Sequence, residues 1–221
     1  MSRDAEIREF VDSLAEVDPP SDQSVNIYRN TVRCANLIRW LSGFDDTSQS
    51  MIFVGEAPGR DGGAITGIPF VSPMVLTSVN DPWGEFGYET QYELPVGQDA
   101  NHRERTATRF WKHVPPRFSE LHRPLTWNIY PFWPFAYAKG GKRINRAPTK
   151  DEIGFGAWWL VRVVEMYPNA QVVAVGVKAQ DTLESIGIDA PLVPHPSRGN
   201  DEKLIKSLER VAGDLRHLER R

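Results

Sequence analysis

The sequence predicts a single-domain α/β protein built on a central, four-stranded, mainly parallel sheet flanked by helices. Three observations lead there. Four short apolar runs, starting near residues 51, 125, 171 and 191, are separated by stretches with helical periodicity. The runs at 51–55 and 171–176 each end in glycine and show no polar alternation, as expected of strands covered on both faces. The chain has 221 residues, 40% of them hydrophobic and 25% charged, enough for one folded domain with a substantial core.

The elements follow in order. Residues 4–16 carry Ile7, Phe10, Val11 and Leu14 at helical spacing, and Asp18-Pro19-Pro20-Ser21 ends that helix. A second helix is expected over about 25–42, from Tyr28, Val32, Cys34, Leu37, Ile38 and Leu41. Together these form an N-terminal helical segment, residues 1–45, packed on an α/β domain spanning 46–221. The first strand is Met51–Gly55, and a glycine-rich loop runs from it to residue 67. Residues 72–105 mix Trp83, Phe86, Tyr88 and Tyr92 with glycines, prolines and acids, and read as a long compact loop that could enlarge or cover a pocket. A helix over 106–114 is stopped by Pro115-Pro116, and a second strand covers 125–130 before Pro131. Thr149 is placed to cap a long helix reaching about Tyr167. The third strand (171–176), a helix (177–186), the fourth strand (191–194) and a last helix (201–219) complete the chain.

Several classes are excluded. No apolar run approaches the roughly 20 residues of a membrane helix. The charged start, MSRDAEIREF, lacks the apolar stretch of a secretory signal, so a cytoplasmic protein is expected. The single cysteine, Cys34, permits neither an internal disulfide nor a cysteine-built metal centre, and neither cofactor nor metal is expected. The formal net charge is −3, but it is unevenly spread: −10 over residues 1–100, +9 over 101–150 and −2 over 151–221. Local basic surface governs phosphate affinity, so the middle block keeps nucleic acid open as a partner. Its candidates for DNA contact are Arg103, Arg105, Arg109, Lys112, Lys139, Lys142, Arg143 and Arg146.

In open parallel sheets the ligand lies beyond the carboxyl ends of the strands. Three loops sit there. Gly55-Glu56-Ala57-Pro58-Gly59-Arg60-Asp61-Gly62-Gly63 lets backbone amides approach a phosphate or a base, but it is neither a Walker loop nor a dinucleotide fingerprint. Asn128 ends the second strand and can offer both a donor and an acceptor to a base edge. Phe132 and Trp133 beside it serve as pocket wall or as ordinary core. His195 follows the fourth strand in His195-Pro196-Ser197-Arg198, a setting suited to catalysis that the other histidines lack.

Taken together these loops resemble the uracil-DNA glycosylase superfamily. Gly55-Glu56-Ala57-Pro58-Gly59 is similar to the first motif of its thermostable iron–sulfur branch, Gly67-Ile68-Pro69-Phe70 to the continuation, and His195-Pro196-Ser197 to the second motif. Thr126-Trp127-Asn128, Asn145-Arg146-Ala147-Pro148-Thr149 and Val173-Ala174-Val175-Gly176 resemble a cysteine-poor bacterial group related to that branch, so the likeness covers residues 50 to 200. It implies hydrolysis of the N-glycosidic bond of a pyrimidine flipped out of DNA, leaving an abasic site, by a monomer. By the same resemblance Phe70 stacks on the base, Asn128 reads its edge and Ala57 lies against it. His195 stabilises the departing base anion, and Glu56 or Asp61 assists at the sugar. Pro58, Gly59, Ser197 and Arg198 hold phosphates or wedge the gap left in the duplex, and Arg60, with Lys142 and Arg143 of the basic block, is expected to add to DNA binding. Two departures matter: the cluster cysteines are missing, and Ala57 stands where other branches place Asp or Asn. Uracil is the default base. A bulky modified cytosine of phage DNA, in a defence role, is the alternative. A non-catalytic DNA reader and a nucleotide-binding enzyme are the rivals from other classes.

Overall fold

The computed structural model describes residues 2–47, 50–78, 83–87, 89–118, 123–196 and 201–218. In chain order these are α1 (Arg3–Glu16), β1 (Ser24–Val25), a 3-10 turn (Ile27–Arg29), α2 (Thr31–Ser42), β2 (Met51–Gly55), α3 (Gly63–Thr66), α4 (Pro73–Leu76), α5 (Arg105–His113), α6 (Pro115–Phe118), β3 (Leu125–Asn128), β4 (Trp133–Tyr137), β5 (Arg143–Asn145), α7 (Lys150–Met166), β6 (Gln171–Val175), α8 (Val177–Ser185), β7 (Leu192–Val193) and α9 (Asp201–Leu218).

The central sheet has the order β3-β2-β6-β7, and every pairing in it is parallel. Strand alternation explains why all its faces are apolar. Ile52 and Val54 of β2, with Val172 and Ala174 of β6, enter one core with α1, α2 and α7. Met51, Phe53, Val173 and Val175 point the other way, into a second core with α5, α6 and α9. Leu125 and Trp127 of β3 join the first core, which turns Thr126 and Asn128 toward the opposite face. The strand order reverses at β2, so a crevice opens beyond the carboxyl ends of β2 and β6.

A second, antiparallel sheet, β1-β4-β5, was not expected from the sequence. Trp133, read as pocket wall or ordinary core, opens its middle strand, Trp133–Tyr137. The helix expected from residue 25 starts at Thr31, because Ser24–Val25 pairs with β4 and the Asn26 and Asn30 side chains each cap a new turn. The strand at 125 ends at Asn128 rather than 130. α5 ends at His113, just ahead of the stop expected at Pro115-Pro116, and Pro115 opens a further short helix, α6. Thr149 caps α7 as expected, in a capping box with Glu152.

The described part of 72–105 is packed rather than open. Phe86 stacks on Trp40 at 5.5 Å and meets Trp111 edge-on at 5.0 Å, while the Asn36 side chain pairs with the Glu93 backbone. α1 and α2 contribute to the same core as β2 and β3.

Candidate active site at the strand ends

Gly55 and Asn128 face each other in register at the ends of β2 and β3. A Cβ on Gly55 would fall 2.5 Å from Phe70 Cζ and 2.8 Å from Asn128 Oδ1, so only glycine lets these two side chains meet over the strand end. Phe70 is held firmly. It is the sole non-glycine with positive φ (61°) among the described residues, an arrangement that costs about 1–3 kcal/mol and marks a constrained position. Phe110 stacks on its ring at 4.9 Å, and Trp111 Nε1 donates to its carbonyl at 3.0 Å.

Phe70 and Asn128 line a cavity of about 180 Å³, together with Glu56, Ala57, Pro58, Gly59, Gly63, Glu104, Thr106, Asn145, Arg146, Pro148 and His195. A cavity of roughly 150 Å³ accommodates one benzene-sized ring, so this one suits a single-ring base. Asn128 is only 4% exposed, and its side-chain amide makes no hydrogen bond to protein among the described residues. Its polar atoms are not sealed from solvent, so they stand open to a ligand or water at the cavity. The Ala57 and Gly59 amides likewise donate to no described protein acceptor.

Asn145 is a contributor that sequence reasoning did not single out. Its Oδ1 accepts from the Arg60 amide at 2.9 Å and from Trp133 Nε1 at 2.9 Å. Both partners are donors, which fixes the amide orientation and leaves the Nδ2 donor without a described protein acceptor, in a residue that borders the cavity. Glu104, also missed, caps α5: its two oxygens accept from the Thr106 and Ala107 amides at 2.8 and 2.7 Å. With both oxygens so used, it serves as a helix cap rather than as a base.

The structure separates the two carboxylates that the sequence left equal. Glu56 lines the cavity, and its Oε1 takes a 2.7 Å ion pair from Lys178 Nζ at the start of α8. Asp61 is turned to Arg60, which donates to both of its oxygens at 2.9 Å, and His102 Nε2 lies 3.4 Å away. The Arg60 hydrogen bonds hold the Asp61 carboxyl below its usual range. Asp61 does not border the cavity.

His195 lies against Gly176, whose φ of +90° disfavours any side chain and where a Cβ would sit a tight 3.3 Å from the His195 Cβ. Arg109 Nη1 donates to the carbonyl of Pro196 at 3.0 Å, bracing the same turn. His195 and Glu56 also border a second cavity of about 410 Å³, lined by Val175, Gly176, Val177, Lys178, Leu192 and Pro194, over the crevice where the strand order reverses. Ser197 and Arg198 lie outside the described residues.

The basic block divides into two groups. All five Arg146 donors are used, by Glu152, Phe135, Ala147 and Gln23, so this guanidinium holds the β1-β4-β5 sheet to α7. Glu152 is fully buried. Burial pushes its pKa up, but the Arg146, Ser24 and Thr149 hydrogen bonds outweigh that and bring it to about 2. Arg109 pairs with Asp201 at 3.5 Å as well as with Pro196. Lys139, Lys142 and Arg143, by contrast, are exposed on the β4–β5 hairpin.

No group of three or more metal-ligating side chains occurs among the described residues, and none of their helices is long and apolar enough to cross a membrane. The family model described as "Uracil DNA glycosylase superfamily" matches residues 42–217. No curated protein sequence matches the chain. A solved structure described as wild-type Pedobacter heparinus SMUG2 superposes with a TM-score of 0.68 at 13% identity, covering 100% of both chains.

Proposed function

Since the chain belongs to the uracil DNA glycosylase superfamily, whose members are DNA N-glycosylases, we propose that it removes a flipped-out pyrimidine, uracil by default, from DNA. The observation that carries this reading is the unpartnered Asn128 amide beside the Phe70 ring, in a cavity of about 180 Å³. A pyrimidine edge supplies the acceptor and donor that Asn128 lacks, and Phe70 supplies a face for its ring. Flipping costs a few kcal/mol of stacking and pairing, which these contacts offset.

Breaking the C1′–N1 bond sends the electron pair to the base and leaves a sugar cation. Donors that bind the base anion better than the neutral base lower this barrier. In our reading His195 and the Asn145 Nδ2 group act there, with Asn128 fixing the register of the base. Water then adds to C1′ and loses a proton. Glu56 is the carboxylate for that step, positioned by its ion pair with Lys178, while Asp61 braces the loop through Arg60. Ala57 lies against the base, and the Ala57 and Gly59 amides on either side of Pro58 are the backbone donors offered to the DNA strand.

One observation favours a second substrate. The 410 Å³ cavity shares Glu56 and His195 with the base pocket, and it offers space for a large substituent. A bulky modified cytosine would place its substituent there. Cytosine leaves less readily than uracil, so this reaction leans harder on protonation of the base.

The test is a panel of oligonucleotides carrying uracil, hypoxanthine or bulky 5-substituted cytosines, treated with alkali to reveal abasic sites. Cleavage at uracil supports the primary reading, and preferential cleavage at the substituted cytosine supports the second. DNA binding without cleavage of any substrate would point to a non-catalytic reader.

A further inference from the structure

The β4–β5 hairpin carries a feature that the base pocket does not explain. In the antiparallel pairing Phe135 faces Asn145 and Tyr137 faces Arg143, so all four side chains share one face of the ribbon. That face begins at the pocket, where Asn145 lines the cavity and accepts from Trp133 Nε1. Beyond it the Arg143 guanidinium lies 4.3 Å over the Phe135 ring. Tyr137 follows, edge-on to Phe135 at 5.3 Å and 58% exposed. Lys139 and Lys142 flank the turn, which closes through two glycines with positive φ and the Ala138–Lys142 hydrogen bond.

We infer that this face is a stacking platform for an unpaired DNA nucleotide next to the flipped base. The inference rests on the reading of the pocket as a base site. Exposed aromatic rings and guanidinium planes, interleaved with cations, are what a sequence-tolerant single strand requires. Tyr137 and Arg143 stand two residues beyond the Asn145 level. That is about 7 Å of strand rise, the reach of about two nucleotides at the ~3.4 Å spacing of a stacked strand. A duplex wedge needs a bulky apolar side chain at a loop tip. The tip of this hairpin, Lys139-Gly140-Gly141-Lys142, carries none, and Tyr137 sits back along the ribbon, edge-on to Phe135.

Fluorescence anisotropy with a labelled, uracil-free single strand and its duplex tests this without requiring catalysis. Tyr137→Ala should weaken single-strand binding about 5- to 150-fold, the range for loss of one base–aromatic stack, and Tyr137→Trp should restore it. Duplex binding should change far less. Replacing both Lys139 and Lys142 by alanine should lower the salt slope of single-strand binding by about 0.7 for each phosphate no longer neutralised, while Tyr137→Ala leaves that slope unchanged. Unchanged single-strand affinity in a folded Tyr137→Ala variant would overturn the platform, as would equal losses on both DNA forms. If Tyr137→Ala has the expected effect but no base is ever excised, the platform stands and the glycosylase reading falls.

Discussion

Replacing Gly55 by alanine should damage the site through a single methyl group. The added Cβ falls 2.5 Å from Phe70 Cζ and 2.8 Å from Asn128 Oδ1. Carbon atoms rest at about 3.5–4.0 Å, so the Phe70 ring must retreat by about 1 Å or more. It has little freedom to do so. Phe110 is stacked behind it at 4.9 Å, its carbonyl is tied to Trp111, and its backbone is already in the left-handed region. Overpacking of this kind costs about 1–3 kcal/mol of stability. The same shift misplaces both the ring and the amide that hold the base, and a displacement near 1 Å costs on the order of 100-fold in rate. Thermal unfolding and single-turnover excision, measured side by side, read the two effects separately. The expected outcome is a folded protein with a modestly lowered Tm and a rate down by about two orders of magnitude. A Gly55→Ala protein with wild-type Tm and wild-type rate would refute the packing argument.

Other outcomes follow from the same geometry. Glu56→Gln should slow excision by about 10²–10⁴-fold, whereas Asp61→Asn, half-exposed and paired with Arg60, should cost under about 1 kcal/mol of stability and leave the rate near wild type. A reversal of that order in single-turnover rates would assign the carboxylate role to Asp61. Asn128→Ala should slow the reaction about 10- to 150-fold, the value of hydrogen bonds to a charged group, with the fold intact by circular dichroism. Glu152 has a folded pKa of about 2 against 4.5 when free, so its stabilisation is complete above pH 4.5 and is lost as the pH falls from there through about 2. The shift corresponds to about 3 kcal/mol. The Tm gap between wild type and Glu152→Gln should therefore narrow between pH 5 and pH 3, and a gap that stays constant would contradict the linkage.

The central sheet was legible because each of its strands is buried on both faces and reads as an apolar run closed by glycine, proline or a polar end. Thr149 was legible because a capping box is local in sequence. The second sheet was not. β1 has two residues, β5 is exposed along its whole length, and Pro131 and Pro134 disguise β4 as a loop. Its pairing depends on contacts more than 100 residues apart, such as Ser24 with Glu152. In the candidate site, Gly55, Phe70, Asn128 and His195 could be placed from strand ends and motif resemblance. The choice between Glu56 and Asp61 could not, because it turns on Lys178, 122 residues from Glu56, and on the local claim of Arg60 upon Asp61. Arg146 looked like a DNA contact by its charge and proved to be the bolt between β1, β4 and α7, since its carboxylate partner is buried beneath it.

The central claim is that Asn128, Phe70 and His195 form a pocket in which a base is cut from DNA. Chromatographic detection of the free base, released from the substrate panel by wild type, His195→Ala and Asn128→Ala, tests it most directly. The account predicts that wild type releases one pyrimidine and leaves an abasic site, and that both variants fold but lose most of that release. Release of no base by wild type, or undiminished release by the two variants, would contradict it.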